Sequence, residues 1–226
     1  MAQSWHDLLF AHWPIDAAVL RPLIPAPLSI DTFAGEAWAG VIPFQMSGVR
    51  LRGTFATPWL SRFPELNVRT YVVFQGKPGV WFFSLDAGNP IAVTIARSWF
   101  HLPYFRARMA CESDGDGIRY TSERTHADAP PAVFNANYRP VTPAFEPQRG
   151  TLEHFLTERY CLYAASQNRI SRGEIHHPPW QLQSAEADLT QNTMALAAGF
   201  PLPQRAPLLH FARRQDVVVW PPKLIA

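Results

Sequence analysis

The chain has 226 residues, 47% hydrophobic and 17% charged, with a formal net charge of +2. That length suits one large domain, in which folding buries ~70% of the extended chain's surface. No apolar run reaches the ~18 to 20 residues of a membrane-spanning helix, no basic-then-apolar start marks a signal peptide, and interleaved arginines and acids make no nucleic-acid footprint.

Strand signals dominate in chain order. Residues 8–13 form a short apolar stretch stopped by Pro14. Asp16 is placed to cap a short helix over 17–21, which ends in the cluster Pro22, Pro25 and Pro27. Residues 28–33 and 38–51, bent near Pro43 and Gly48, read as strands about the turn Ala34-Gly35-Glu36. Residues 65–74 and 80–86 make a hairpin around Gln75-Gly76-Lys77-Pro78-Gly79. A helix follows over 91–100, then a second hairpin from 105–112 and 118–125, and a looser strand over 133–138. The clearest helical spacing lies in 151–165, where Thr151 is the candidate N-cap and Leu152, Phe155, Leu156, Arg159 and Leu162 recur at helical intervals. Alternation marks 180–190 as a strand, 194–198 as a short helix and 208–220 as the closing strand. With no repeat and no low-complexity linker, the expectation is one α+β domain over 1–226. It is built on a large, curved, mainly antiparallel, barrel-like sheet with two or three helices.

Chemistry-bearing residues cluster in two stretches. In Phe63-Pro64-Glu65-Leu66-Asn67-Val68-Arg69-Thr70-Tyr71-Val72, strand alternation lines up Glu65, Asn67, Arg69 and Tyr71 on one face. That face is either the wet side of a half-buried strand or a polar floor inside a barrel. In the second case Arg69 binds a carboxylate and Glu65 works as acid or base. The helix over 91–100 and the turn after it supply Arg97, His101 and Tyr104, with Arg97 and His101 as i,i+4 neighbours. A histidine beside an arginine favours its neutral form, fit to accept a proton. The alternative is a His101 that only caps the helix and an Arg97 that pairs elsewhere.

Other templates fail. His6, Leu8, Phe10 and His12 share a face on a regular strand, which sets the two histidines ~20 Å apart, too far for one metal. His176-His177 stands in a loop before Pro178-Pro179. No metal site, G-x-S-x-G elbow, G-x-G-x-x-G or Walker loop is present, and no cofactor is expected. Cys111 and Cys161 lack CxxC spacing, which suits a reducing, cytoplasmic setting. Among 20 basic residues only Lys77 and Lys223 are lysines.

Four stretches resemble the YqjF-like family of bacterial proteins, a domain of unknown function. They are Leu20-Arg21-Pro22-Leu23-Ile24-Pro25-Ala26-Pro27-Leu28-Ser29-Ile30-Asp31, the segment from Phe63 to Tyr71, Phe83-Ser84-Leu85-Asp86, and Ala96-Arg97 through Leu102-Pro103-Tyr104. That family is in turn similar to acetoacetate decarboxylase, whose fold is a curved antiparallel sheet closing into a cone around a pocket. The resemblance implies that fold, a tendency to homo-oligomers, and a pocket glutamate at Glu65. Where the decarboxylase has its catalytic lysine pair, this chain has Tyr104 and Phe105, and neither forms an imine. The decarboxylase's first-strand arginine has no match, and His12 stands in that region.

Two readings follow. One is a small-molecule-binding protein whose pocket uses Arg69, Arg97, Asn67, Tyr71 and His12 for an anionic or aromatic ligand. The other is a lysine-independent lyase, isomerase or hydrolase acting on a small oxo-acid or aromatic substrate through Glu65 with His101 or Tyr104. Mixed charge argues against a nucleic-acid or protein partner role, and the lack of a long apolar run against a membrane.

Overall fold

Long β-rich runs punctuated by proline and glycine set the architecture, and most of the chain is strand (58%). In this computed structural model, which describes residues 1–50, 62–166 and 169–226, the early strands are β1 Ala2–Ile15, β2 Ser29–Ile30, β3 Ala37–Arg50, β4 Phe63–Phe74 and β5 Lys77–Ala87. They continue as β6 Tyr104–Asp114, β7 Gly117–Arg124, β8 Val133–Pro140, β9 Cys161–Ser166, β10 Arg169–His176, β11 Gln183–Asn192, β12 Leu208–Val219 and β13 Lys223–Leu224. The helices of the described residues are α1 Ala17–Leu20, α2 Pro90–Phe100, α3 Leu152–Thr157 and α4 Met194–Ala197. None is long and apolar enough to cross a membrane. Of the strand expected over 38–51, Leu51 lies outside the described residues.

All these strands pair into one mixed sheet. It runs β5-β6-β7-β8-β11-β12-β1-β3-β4 and returns to β5 through the β4–β5 pairing, so it curves into a ring. β9 and β10 leave β5 and rejoin at β12, closing a second, smaller loop over the same wall of β12, β1, β3, β4 and β5. Pairing is antiparallel except for β5–β6 and β5–β9. The parallel β5–β6 pair needs a crossover, and α2 is that crossover. Asn89 caps it, its side chain accepting from the N–H groups of Ile91 and Ala92, and Pro90 sits at the first turn, where its missing N–H costs nothing.

The wall is buried on both faces. On β4, Leu66, Val68 and Val72 point into the main core with Tyr120 and Phe134. Leu8 and Phe10 of β1 pack with Ile42 and Phe44 of β3 on the opposite face. Full burial of each such side chain contributes roughly 1.5–3 kcal/mol.

The helix expected over 151–165 is corrected. Thr151 does cap a helix, accepting from the His154 N–H at 3.3 Å, but that helix stops at Thr157. Arg159, which helical spacing put on the apolar stripe, ends it. Its Nε donates to the Phe155 carbonyl at 2.7 Å and its Nη1 pairs with Asp31 at 2.6 Å. Residues 161–166 then become β9, aligned parallel to β5 with Val80 opposite Leu162. Gly79 makes the approach possible: a Cβ there would lie 2.7 Å from the Cys161 Sγ and 2.9 Å from the Cys161 carbonyl oxygen. Nor is His176 in a loop; it is the last residue of β10, a strand the sequence pattern did not announce.

Candidate functional site

Between the shared wall and the β9–β10 pair lies a cavity of about 500 Å³, within the range of small-molecule sites. Phe10, Phe44 and Leu85 of the wall line it, with Leu162 of β9 and Ile175 of β10 opposite and Ile95 of α2 along a further side. β1 does not alternate through this region. Asp7 has φ +51, and the β1–β3 register shifts between His6 and Ala11. The irregularity places Trp5 on the cavity together with Leu8 and Phe10. His6 is therefore off that face, with Nε2 2.7 Å from Ser47 Oγ, and the regular alternation expected for His6, Leu8, Phe10 and His12 is broken at Asp7.

Glu65, Asn67 and Arg69 of β4 line the cavity and are 3%, 5% and 9% exposed, which excludes the wet-face alternative. Arg69 leans away from Glu65. Its Nη2 donates to the Leu156 carbonyl at 3.2 Å, and its guanidinium carbon lies 5.5 Å from the Phe10 ring centroid and 5.6 Å from that of Tyr71. Nε of Arg69 and Oδ1 of Asn67 have no hydrogen-bond partner, and no carboxylate of the described residues pairs with Arg69.

Tyr71 and His12 are fully buried and stand behind Arg69, not on the cavity wall. The Tyr71 hydroxyl donates to the Leu156 carbonyl at 2.7 Å, and His12 Nε2 lies 2.6 Å from the same hydroxyl. Because the phenol has one hydrogen and spends it on Leu156, His12 carries its proton on Nε2 and donates to Tyr71. Burial, with Arg69 and then His210 adding to it, holds the His12 imidazole well below its ordinary pKa, so it is neutral. Gly40 opposite leaves room for the ring; a Cβ there would lie 2.9 Å from His12 Nε2. The pair therefore acts as a brace for the Arg69 end of the site.

Tyr104 opens β6 beside Leu85 and sends its hydroxyl to Glu65 Oε2, donating at 3.0 Å. Burial in apolar surroundings pushes the Glu65 carboxyl up to about 8; Tyr104 pulls it down and Asp86 pushes it further up. The same burial, with Glu65 beside it, drives the Tyr104 phenol well above its ordinary value. At neutral pH the site thus holds a neutral acid, a neutral phenol and one buried cation.

Arg97 and His101 are not part of this constellation. Both are exposed and line an outer groove with Trp81, Phe83 and Phe105. Arg97 Nη1 donates to the Tyr104 carbonyl at 2.6 Å, and His101 ends α2 in the left-handed region, φ +50. α2 turns its Ala92, Ile95 and Ala96 side toward the cavity, which leaves Arg97 outward. Neither lysine lines the cavity. Lys77 pairs with Glu174 at 2.6 Å, and Lys223 is exposed on β13. Sequence reasoning missed Trp5 and Trp180, which stack at 6.2 Å along the cavity. It also missed Arg124, which grips Asp86 at 2.8 and 2.6 Å behind Phe105, the second of the two residues standing where the lysine pair was sought. Apolar alternation alone could have flagged Trp180; nothing in the sequence joins Asp86 to Arg124.

Residues 2–216 match the DUF2071 family, described as an uncharacterized conserved protein. The chain belongs to that family. Within it, the chain is 48% identical over 221 residues to the uncharacterized protein YqjF of Bacillus subtilis (strain 168), covering 98% of this chain and 90% of the relative. Solved structures extend the likeness in fold. The enduracididine biosynthesis enzyme MppR with HEPES buffer bound superposes with a TM-score of 0.68 at 12% identity, covering 100% of this chain and 87% of that one. A structure of acetoacetate decarboxylase gives 0.66 at 15% identity, covering 100% and 89%. This DUF2071 chain therefore has the acetoacetate decarboxylase-like fold, with a curved, mostly antiparallel sheet as its frame.

Proposed function

We propose that the protein binds a small organic anion in the cavity, with Arg69 taking the charged group and Asn67 hydrogen-bonding beside it. The observation that carries this reading is a buried guanidinium with a carbonyl for a partner and no carboxylate among the described residues. Desolvating an unpaired cation costs several kcal/mol, and an anionic ligand offsets that cost directly. The aromatic and aliphatic walls suit an apolar ligand body. Thermal-shift titration with monocarboxylates, among them 2-oxo and 3-oxo acids, tests it. Arg69→Gln is expected to weaken every stabilising anion at least ~10-fold, the ~1.4 kcal/mol or more that a charge-assisted hydrogen bond supplies. Equal affinities in the two proteins would end this reading.

A second reading, proton transfer on a bound oxo acid, is favoured by one observation: Glu65 is held near 8 beside the Tyr104 hydroxyl, a value suited to giving and taking protons. With both lysines outside the cavity, that chemistry would proceed without an imine, and His101 is too exposed to serve it. Solvent-deuterium exchange at the carbon next to the oxo group, followed by NMR, should occur in the wild type and stop in Glu65→Gln. Exchange that persists in that variant rules it out.

A further inference from the structure

Two of the polar side chains that β4 sends to the cavity, Glu65 and Arg69, stand at separate stations. Glu65 and Arg69 are four residues apart on one strand face, which sets their Cα atoms ~13 Å apart with Asn67 between them. Their side chains diverge: Arg69 is drawn toward Leu156 and Tyr71, whereas Glu65 is held from the other side by Tyr104. Between the stations the wall is apolar apart from Asn67, with Phe10, Ile42, Phe44 and Leu85 on the cavity. One station is a cation. At the other, Tyr104 occupies Oε2 of Glu65 and leaves the second carboxyl oxygen for the ligand.

We propose that the cavity selects an elongated monoanion carrying an uncharged oxygen, hydroxyl or carbonyl, at its far end, the anion on Arg69 and the distal oxygen on Glu65. The idea rests on the anion-binding reading above and adds the identity of the second end. A pure hydrocarbon tail would leave the second Glu65 carboxyl oxygen, the one Tyr104 does not reach, without a partner in an apolar pocket, a cost of about 1–3 kcal/mol. A second carboxylate there would meet a buried acid that no cation of the described residues pairs with. The reach follows from the strand: with ~13 Å between the Cα atoms and side chains that diverge from them, less up to ~3 Å for each hydrogen bond, the ligand's polar ends stand at least roughly 7 Å apart. Compact ortho-substituted acids are too short to touch both.

The test is a ligand-by-variant cycle read by calorimetry on the full chain. The probes are 3-phenylpropanoate, 3-(4-hydroxyphenyl)propanoate, octanoate, 8-hydroxyoctanoate, octanedioate and 2-hydroxybenzoate. In the wild type the distal hydroxyl should tighten binding about 3–10-fold in at least one of the two matched pairs, the worth of one hydrogen bond. That gain should vanish in Glu65→Ala and survive in Glu65→Gln, whose amide keeps both donor and acceptor. Octanedioate should bind more weakly than 8-hydroxyoctanoate. Arg69→Gln should weaken all the monoanions alike. If neither hydroxyl pair shows a gain, or the gain persists in Glu65→Ala, while Arg69→Gln still weakens the anions, the two-station proposal fails and the anion site stands. If Arg69→Gln changes nothing, or no probe binds, both fall together.

Discussion

Arg69 and Arg124 are both buried, at 9% and 8% exposure, and their surroundings are opposite. Arg124 grips Asp86 through two hydrogen bonds, donates to the Pro130 carbonyl and lies 4.0 Å from the Phe105 ring centroid. Arg69 has one carbonyl, two rings and an empty Nε. A pair closed on itself holds β5 to β7 and offers nothing to a ligand. A guanidinium left open at a cavity wall is poor structural design and good recognition chemistry. The contrast, more than the count of arginines, separates the scaffold from the site.

The most forceful way to break that contrast is the same substitution at both positions. Arg124→Met strands the Asp86 carboxylate, and removing one partner of a buried ion pair costs about 3–5 kcal/mol. For a chain of this size the melting temperature should drop by roughly 6–20 °C. Arg69→Met strands nothing, because it removes an unpaired charge, and the urea midpoint should hold or rise. Equal losses at the two positions would mean that Arg69 is as structural as Arg124.

The next largest effect separates the neutral end of the cavity from the charged one. Glu65 ionises near 8 in the folded protein against 4.5 as a free side chain. A raised pKa gives stability that is complete below the unfolded value and is lost as pH climbs to the folded one. Buried His12 and His210, both lowered from 6.5, act in the opposite sense below pH 6.5. The clean window is therefore pH 6.5 to 8, where stability should fall by ~1.4 kcal/mol per unit, about 2 kcal/mol in all. Urea midpoints across that window should decline in the wild type and stay level in Glu65→Gln. A level wild-type profile would mean an ionised Glu65.

How much of this was legible in the sequence depends on whether the signal was local. Strand alternation alone set Glu65, Asn67 and Arg69 on one face, and they do line the cavity together. The hairpins and the Asn89-Pro90 helix start were equally local. An i,i+4 pair such as Arg97 and His101 names a helix edge without saying which way it turns, and α2 turns it outward. Residues 151–165 keep a helical period throughout, yet only Leu152–Thr157 is helix and Cys161–Ser166 pairs with β5, where Gly79, more than 80 positions away, lets Cys161 approach. The Asp86–Arg124 pair joins residues 38 apart through sheet register, and the bulge at Asp7 redirects Trp5 without any proline or glycine to announce it. Local chemistry was readable; long-range pairing was not.

The smallest effect concerns Tyr104, whose hydroxyl reaches the Glu65 carboxyl at 3.0 Å. Its hydroxyl holds Glu65 down against the desolvation that pushes it up. A hydrogen bond to a carboxylate is worth about 1 kcal/mol more than one to the neutral acid, or ~0.7 of a pKa unit. Tyr104→Phe should therefore shift the Glu65 titration upward by about 0.5–1 unit, followed by the carboxyl carbon shift in NMR. The decline in urea midpoint should move with it, while Arg69-dependent anion binding keeps its strength. An unmoved titration would leave Tyr104 as wall and nothing more; a downward one would mean that the hydroxyl accepts from a protonated Glu65, the reverse of the polarity drawn here. Either result would redraw the neutral end of the cavity and leave the cationic end as it is.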